Sequence, residues 1–142
     1  MMYKYPQIEV NFLIEGKDFD LEHFTKEIGV TPSKTRGIGD WPKAIVNNTN
    51  LPEELKPRCE WSLCHMEESC RKVEKAVCVI ISKLKGKEQK IIEFCEENEL
   101  KKGLSITIHA EAINMPEIVF SQDTVSYLGD MKVEISFDIY TY

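Results

Sequence analysis

The 142-residue sequence has no apolar run long enough to cross a membrane, and its first residues carry no apolar stretch of signal-peptide length. These absences predict a cytoplasmic protein without a membrane segment. Basic residues are also scarce, 18 Lys and Arg against 24 Asp and Glu, giving a formal net charge of -6. Because nucleic-acid binders use clustered Lys and Arg to displace counterions from phosphate, we expect no nucleic-acid partner.

Several chemical signatures are also missing. The five cysteines include no C-x-x-C pair, and His65 directly follows Cys64, so on a strand their side chains would point to opposite faces. An odd number of cysteines in a reducing compartment is typical of free thiols. The phosphate-loop order G-x-x-x-x-G-K-[ST] is absent, and no complete catalytic motif is present. We therefore expect no metal and no other cofactor, and we identify no catalytic residue.

Alternation of apolar and polar residues predicts strands at residues 7–14, 58–66 and 104–113 and a last strand near the end of the chain. Segment 30–40 can hold at most a short strand, because Pro32 removes a backbone donor. Residues 40–57 contain three prolines and are predicted to form a long loop with one helical turn at 53–55. In the last strand four side chains are expected to point inward: Val133, Ile135, Phe137 and Ile139.

Helical spacing of apolar residues predicts four helices. The first is capped by Asp20 and ends at Gly29, and the last is capped by Ser121, packs Leu128 inward and ends at Gly129. Between them lie two longer helices, and we expect these to form a helical hairpin. They span residues 69–85 and 87–102 and end at Gly86 and Gly103.

Both ends of the chain follow the same plan, in which an alternating strand precedes a short helix that ends in glycine. Ile8 matches Ile108 and Gly29 matches Gly129 at an offset of 100 residues, which indicates a weak internal repeat or a chance likeness of two amphipathic units. Two strand-helix-strand units side by side predict a single α+β domain over residues 1–142. The expected fold is a mainly antiparallel sheet with helices on one face, a ferredoxin-like or related two-layer sandwich.

Several short motifs resemble one protein family. They are Asp18-Phe19-Asp20 after the opening strand, Gly29-Val30-Thr31-Pro32-Ser33-Lys34-Thr35, Gly39-Asp40, Trp61-Ser62-Leu63, Leu128-Gly129 and Asp138-Ile139-Tyr140. Together they span nearly the whole chain and are similar to domain of unknown function 4279, a mainly bacterial family of uncharacterised proteins. The resemblance implies a small α+β domain without an assigned activity, so it supports the fold and leaves the function open.

The segment from Thr31 to Trp41 is the first candidate site. Its basic side chains, hydroxyl groups and glycines are of the kind that surround a bound anion with backbone N–H groups. The alternative is that Pro32 and the glycines only shape a turn, with Trp41 folded onto the core. The candidate ligand-binding residues are Lys34, Arg36, Gly37, Gly39 and Trp41.

The sheet face opposite the helices is the second candidate site. Strand periodicity places several carboxylates there, which suits a basic protein partner, although an ordinary solvated surface explains the same pattern. A general base made of His109 with Glu111 or Asp138 would need a cleft that a flat sheet face does not offer. The candidate partner-binding residues are Glu9, His109, Glu111, Glu134, Asp138 and Tyr140.

These observations favour a non-catalytic protein-binding module that docks through an acidic sheet face. One form of it is an immunity-type protein that masks a basic toxin. The alternative is a binder of a small anionic ligand, or an enzyme, that uses the Thr31–Trp41 loop. The sequence leaves the oligomeric state open.

Overall fold

Strand β1 (Gln7–Gly16) lies at the centre of a five-stranded mixed sheet in the computed structural model, which describes residues 5–142. It pairs antiparallel with β3 (Cys59–Glu68) on one side and with β4 (Lys101–Ala110) on the other. Short β2 (Lys34–Arg36) pairs antiparallel with β3 and forms one edge of the sheet. Strand β5 (Glu134–Thr141) runs parallel to β4 and forms the other edge.

Helices pack on this sheet, which confirms the predicted α+β class, and three of its four strand pairings are antiparallel as predicted. Helix α3 contacts β1 and β3, and α4 lies against α1. Three short 3-10 turns occur at Ile38–Asp40, Glu53–Leu55 and Ala112–Asn114, and the second confirms the predicted helical turn. The helices are α1 (Leu21–Ile28), α2 (Lys43–Val46), α3 (Val73–Leu84), α4 (Glu88–Glu97) and α5 (Gln122–Asp130).

The core follows the predicted alternation. In β1, Ile8, Val10, Phe12 and Ile14 are all buried, and their register partners on β4 are buried as well. Trp61 of β3 packs edge-on against Phe12, and it meets Phe24 of α1 in the same way. The side of the sheet that carries these residues, here called the core side, is the side on which the helices pack. Its buried helical residues include Phe24, Ile28, Val73, Val77, Ile80 and Ile91.

Two of the predicted helix caps are confirmed. The Asp20 carboxylate accepts a hydrogen bond of 3.0 Å from the His23 N–H, and Ser121 Oγ accepts one from the Thr124 N–H. Gly29, with φ 70°, ends α1 in the left-handed conformation, and its N–H donates to the Thr25 carbonyl at 2.9 Å. Glycine adopts this conformation at little cost, which explains the sharp end of the helix.

The predicted helix over residues 87–102 is wrong at its C-terminal end. Helix α4 stops at Glu97, because Glu99 takes a positive φ of 54° and the Leu100 N–H folds back onto the Cys95 carbonyl at 2.9 Å. Gly103 therefore does not end a helix. It lies inside β4, opposite Leu13 of β1, so β4 begins and ends three residues earlier than predicted.

Other predicted boundaries also shift. Helix α3 begins at Val73 rather than at residue 69, because Ser69 has a positive φ of 56° and the residues after it still belong to the connection from β3. Helix α5 passes through Gly129 and ends at Asp130, and the positive φ falls on Lys132 instead. The short helix α2 inside the predicted loop was not expected from the sequence.

The last strand differs from the prediction in burial. Ile135, Phe137 and Ile139 lie beside buried residues of β4 on the core side, yet they are 38%, 39% and 47% exposed. Val133 is only partly buried and precedes the strand. The predicted inward direction is confirmed for Ile135, Phe137 and Ile139, but they are less buried than residues of the central strands, because β5 is an edge strand.

Candidate functional site

The side of the sheet opposite the core side, here called the open face, carries its residues in rows. Residues that pair across neighbouring strands share one side of a sheet, so the registers define each row. One row contains Glu68, Gln7, His109 and Tyr140. The next row contains Met66, Glu9, Thr107 and Asp138. These two rows are here called the acidic end, because they hold three carboxylates and no Lys or Arg.

The opposite end of the open face is mixed in charge. Glu60, Glu15 and Lys101 form one row there, and Arg36 joins it from β2. Glu134 begins β5 next to Gly103, and Lys34 lies opposite Ser62 on the far edge. Of the first predicted site, Lys34 and Arg36 therefore lie on the open face, whereas Gly37, Gly39 and Trp41 follow β2 outside the sheet. The acidic end contains Glu9, His109, Asp138 and Tyr140, whereas Glu134 lies at the mixed end and Glu111 follows β4.

An aromatic cluster borders the acidic end. His109 stacks on Tyr140 with ring centres 4.9 Å apart and planes inclined by 11°, and it also stacks on Tyr142 at 6.0 Å. Its Nδ1 lies 2.9 Å from the Tyr142 hydroxyl oxygen. Tyr5 packs against Tyr142 at 5.3 Å. These contacts fix the Tyr140 ring while leaving it about half exposed.

The two carboxylates predicted to act with His109 lie outside its row of the sheet. Asp138 lies opposite Thr107, two residues further along the strands, and Glu111 begins the turn after β4. His109 is flanked by two tyrosine rings. A general base must lie within hydrogen-bonding reach of a substrate held in a cleft, and His109 is not among the residues that line the large groove at the other end of the sheet.

In the Thr31–Trp41 loop, most of the groups predicted to bind an anion already contact other groups of the protein. The Arg36 guanidinium lies 3.6 Å from the centre of the Trp41 ring, and Trp41 Nε1 donates to the Arg58 carbonyl at 2.8 Å. The Gly37 N–H donates to Asp40 Oδ2 at 2.7 Å. Lys34 and Gly39 are exposed. An incoming anion would have to displace the Asp40 carboxylate from the Gly37 N–H.

Sequence reasoning missed a groove of about 1050 Å³ at the far end of the sheet, between the end of β1 and the long loop. Its charges are largely paired: Lys17 and Lys56 lie 3.2 and 3.0 Å from Glu53, and Arg58 lies 2.8 Å from Glu15. Hydrogen bonds from Lys56 and Lys17 lower the pKa of Glu53. The only sequence signal for this groove was the length of the Pro-rich loop. None of the five candidate ligand-binding residues of the Thr31–Trp41 loop lines this groove.

The cysteines are free thiols and are spread through the protein. Burial raises the pKa of Cys95 to about 11, so its thiolate is scarce at neutral pH. Cys78 is exposed, and its sulfur lies 4.0 Å from Thr124 Oγ1. In residues 5–142, no group of three or more His, Cys, Asp or Glu side chains is placed to hold a metal ion.

The same part of the chain contains no helix with the length and apolar character that crossing a membrane requires. Comparison with curated proteins gives no match, and comparison with solved structures gives none either. A family model described as Domain of unknown function (DUF4279) does match, over residues 6–142. That match covers nearly the whole chain and agrees with the motifs found along it, so this protein belongs to the DUF4279 family.

Proposed function

We propose that this protein is a non-catalytic binding module that docks a basic protein partner through the acidic end of its open face. The proposal rests on one observation. Three carboxylates, those of Glu9, Asp138 and Glu68, lie on the same exposed surface as Tyr140, whose ring is stacked on His109. An immunity-type protein that masks a basic toxin is one form of such a module.

Charge supports a basic partner. Residues 103–142 carry one Lys against six Asp and Glu, a net charge of -5, and the acidic end draws part of its charge from them. Carboxylates of one sign on one surface attract an oppositely charged partner over roughly a Debye length, about 8 Å at physiological ionic strength. The acidic end would therefore speed encounter with a basic surface and repel an acidic one.

Tyr140 supplies the apolar contact that charge alone does not provide. Tyrosine is enriched among residues that dominate binding energy, because its ring buries a large area and loses little conformational entropy. Stacking on His109 already restricts the Tyr140 ring before any partner arrives. The cost of ordering this side chain on binding is correspondingly small.

The shape of the surface also favours docking over catalysis. The acidic end lies on a sheet face, whereas the large groove lies at the opposite end, beside the long loop. Small-molecule sites are concave and bury most of their ligand. A sheet face suits the broad contact of a protein partner.

The alternative, a small-anion site in the Thr31–Trp41 loop, has less support because Arg36 and Gly37 already have partners in the protein. A thermal-shift screen with inorganic phosphate and nucleotides tests it directly. The docking proposal predicts no shift in melting temperature with any of them. A shift that disappears in the Lys34→Ala variant would favour the alternative.

Docking is tested with three versions of the full-length protein. The test variant carries Glu9→Lys and Asp138→Lys on the acidic end. The control carries Glu27→Lys and Glu97→Lys, which makes the same change in net charge at exposed positions in the last turns of α1 and α4. Lysine is tolerated at those positions because it complements the helix dipole.

Each version serves as bait in an extract of the source cell, and any captured protein is then purified and titrated against all three. We expect the wild type and the control to bind with equal affinity, and the test variant to bind roughly tenfold more weakly or worse. Added salt should weaken the binding that remains. Equal affinity for all three versions would contradict docking at the acidic end, even if a partner is captured.

A further inference from the structure

Strand β5 leaves one edge of the sheet unprotected. All eight of its residues are exposed, and its register with β4 runs without interruption from Glu134 to Thr141. Natural proteins often shield such an edge with charged side chains, above all lysine, or with proline, a bulge or a covering segment. Strand β5 contains no lysine, no proline and no bulge, its only charged residues are Glu134 and Asp138, and within residues 5–142 no further strand pairs with it.

The backbone groups that face outward can be identified. The Tyr142 N–H donates to the Ala110 carbonyl at 3.1 Å, and the Tyr142 carbonyl accepts from the Ala112 N–H at 3.4 Å, so Tyr142 directs both groups toward β4. Along a strand of a parallel ladder, successive residues direct their N–H and C=O groups alternately toward the neighbouring strand and away from it. The even-numbered residues of β5 therefore bond to β4. The odd-numbered residues Ile135, Phe137 and Ile139 turn their N–H and C=O groups outward.

We propose that two copies of this chain pair antiparallel through β5, about a two-fold axis at Phe137, and join two five-stranded sheets into one. Phe137 then pairs with Phe137 of the second copy, and Ile135 pairs with Ile139 of the second copy. The outward N–H and C=O groups of these residues form the hydrogen bonds between the copies. On the open face, Ser136 lies opposite Asp138 of the second copy, and Glu134 lies opposite Tyr140 of the second copy.

Charge and the length of the paired segment together select this register. Moving the axis to Asp138 would set that carboxylate directly opposite its own copy, and moving it to Ser136 would set Glu134 opposite Asp138. Like charges directly opposite each other destabilise a strand pair. A slip by one residue would bring apolar side chains against the polar ones of the open face. Centring on Phe137 avoids these conflicts while pairing all of residues 134–140.

Exposed apolar side chains on β5 would stabilise the dimer. Ile135, Phe137 and Ile139 are each more than a third exposed on the core side, and Phe120 stacks on Phe137 with ring centres 6.3 Å apart. In the paired state these three side chains lie against the same three from the second copy. Dimerisation therefore buries apolar surface that a single copy exposes to water, and this burial favours pairing. This pairing uses the outer edge of β5 and goes beyond the docking of a basic partner.

The mass of the full-length protein, measured by light scattering and sedimentation over a range of concentrations, tests the pairing. We expect a concentration-dependent dimer. Ser136→Lys sets an ammonium opposite Asp138 twice in each dimer and should tighten it, whereas Ser136→Asp sets two carboxylate pairs opposite each other and should weaken it. Each change should alter the dissociation constant roughly 2- to 30-fold, in opposite directions.

Two further variants complete the test. Phe137→Lys brings two ammonium groups together at the axis and should give a monomer with unchanged circular dichroism. Leu55→Lys, at an exposed apolar position in the long loop, should leave the dimer unaffected. A wild type that is monomeric at every concentration would overturn the proposal. So would a dimer that responds equally to both Ser136 variants, or a β5 edge found to pair with an extended segment of another protein.

Discussion

The hydrogen bond between Tyr127 of α5 and Glu88 of α4 yields a quantitative prediction of stability. The Tyr127 hydroxyl donates to Glu88 Oε2 at 2.8 Å and joins the two helices. A hydrogen bond to a charged group contributes about 1.5–3 kcal/mol. Tyr127 is only partly buried, so solvent screening reduces this value, and we expect Tyr127→Phe to lower the free energy of unfolding by about 1 kcal/mol. The melting temperature should fall by about 2–4 °C.

The pH dependence of this effect follows from the two pKa shifts. Burial and the nearby Glu88 carboxylate raise the pKa of Tyr127 above its ordinary value of 10.0. The stabilisation is thus complete below pH 10 and is lost as the pH rises toward the folded-state pKa. Burial raises the pKa of Glu88, but hydrogen bonds from Tyr127 and from backbone N–H groups lower it overall below 4.5. Its contribution is present above pH 4.5 and is lost as the pH falls.

Urea unfolding of the wild type and of Tyr127→Phe at a series of pH values measures the difference directly. We expect a plateau between about pH 5 and pH 10, with the two proteins converging on either side. Tyr140→Phe, which removes a hydroxyl from a half-exposed ring, is the matched control and should unfold like the wild type. A difference that stays constant from acid to alkaline pH would refute the role of the charged acceptor.

Two further predictions concern packing and thiol reactivity. Gly16→Ala would place its new methyl group against the Leu100 side chain, so it should lower the free energy of unfolding, measured by thermal denaturation, by about 1–3 kcal/mol. The methyl group of Gly39→Ala would meet no atom within 4 Å, so this variant should lose far less stability. During treatment with iodoacetamide at pH 8, mass spectrometry should show that Cys78 is modified well before Cys95, because Cys78 is exposed and burial raises the pKa of Cys95 to about 11. Equal rates of modification would contradict this reasoning and would mean that the protein around Cys95 opens readily to solvent.

The strands and the class of fold could be predicted because alternation reports directly which side of a sheet is buried, as in Ile8 and Val10. Helix ends were less predictable. Gly103 has the residue type of a helix stop, but pairing with Leu13 of β1 holds it in a strand, and Glu99 ends the helix in its place. Local propensity gave the wrong boundary because a long-range strand pair outweighed it.

The sequence predicts which residues lie on the open face, but not how they are grouped there. Alternation places Asp138 on the open face, yet nothing in the sequence sets it beside Thr107 with Glu9 on the next strand. The contact between Arg36 and Trp41 likewise depends on how the loop returns toward β2. Registers and loop paths are set by tertiary packing, and single-sequence periodicity carries no information about them.

Alternation along β5 also separates the two proposed surfaces within one strand. Its odd-numbered residues point their backbone groups toward the outer edge, whereas Asp138 and Tyr140 face the open side. Pairing about Phe137 would join the two open faces, so that a basic partner long enough to reach both would meet two acidic ends held at a fixed separation. Such a partner would gain affinity through effective concentration without any new contact. Phe137→Lys separates the effects, because that side chain lies on the core side: it should abolish pairing and leave the open face unchanged, so an elongated partner should lose affinity while a compact one does not.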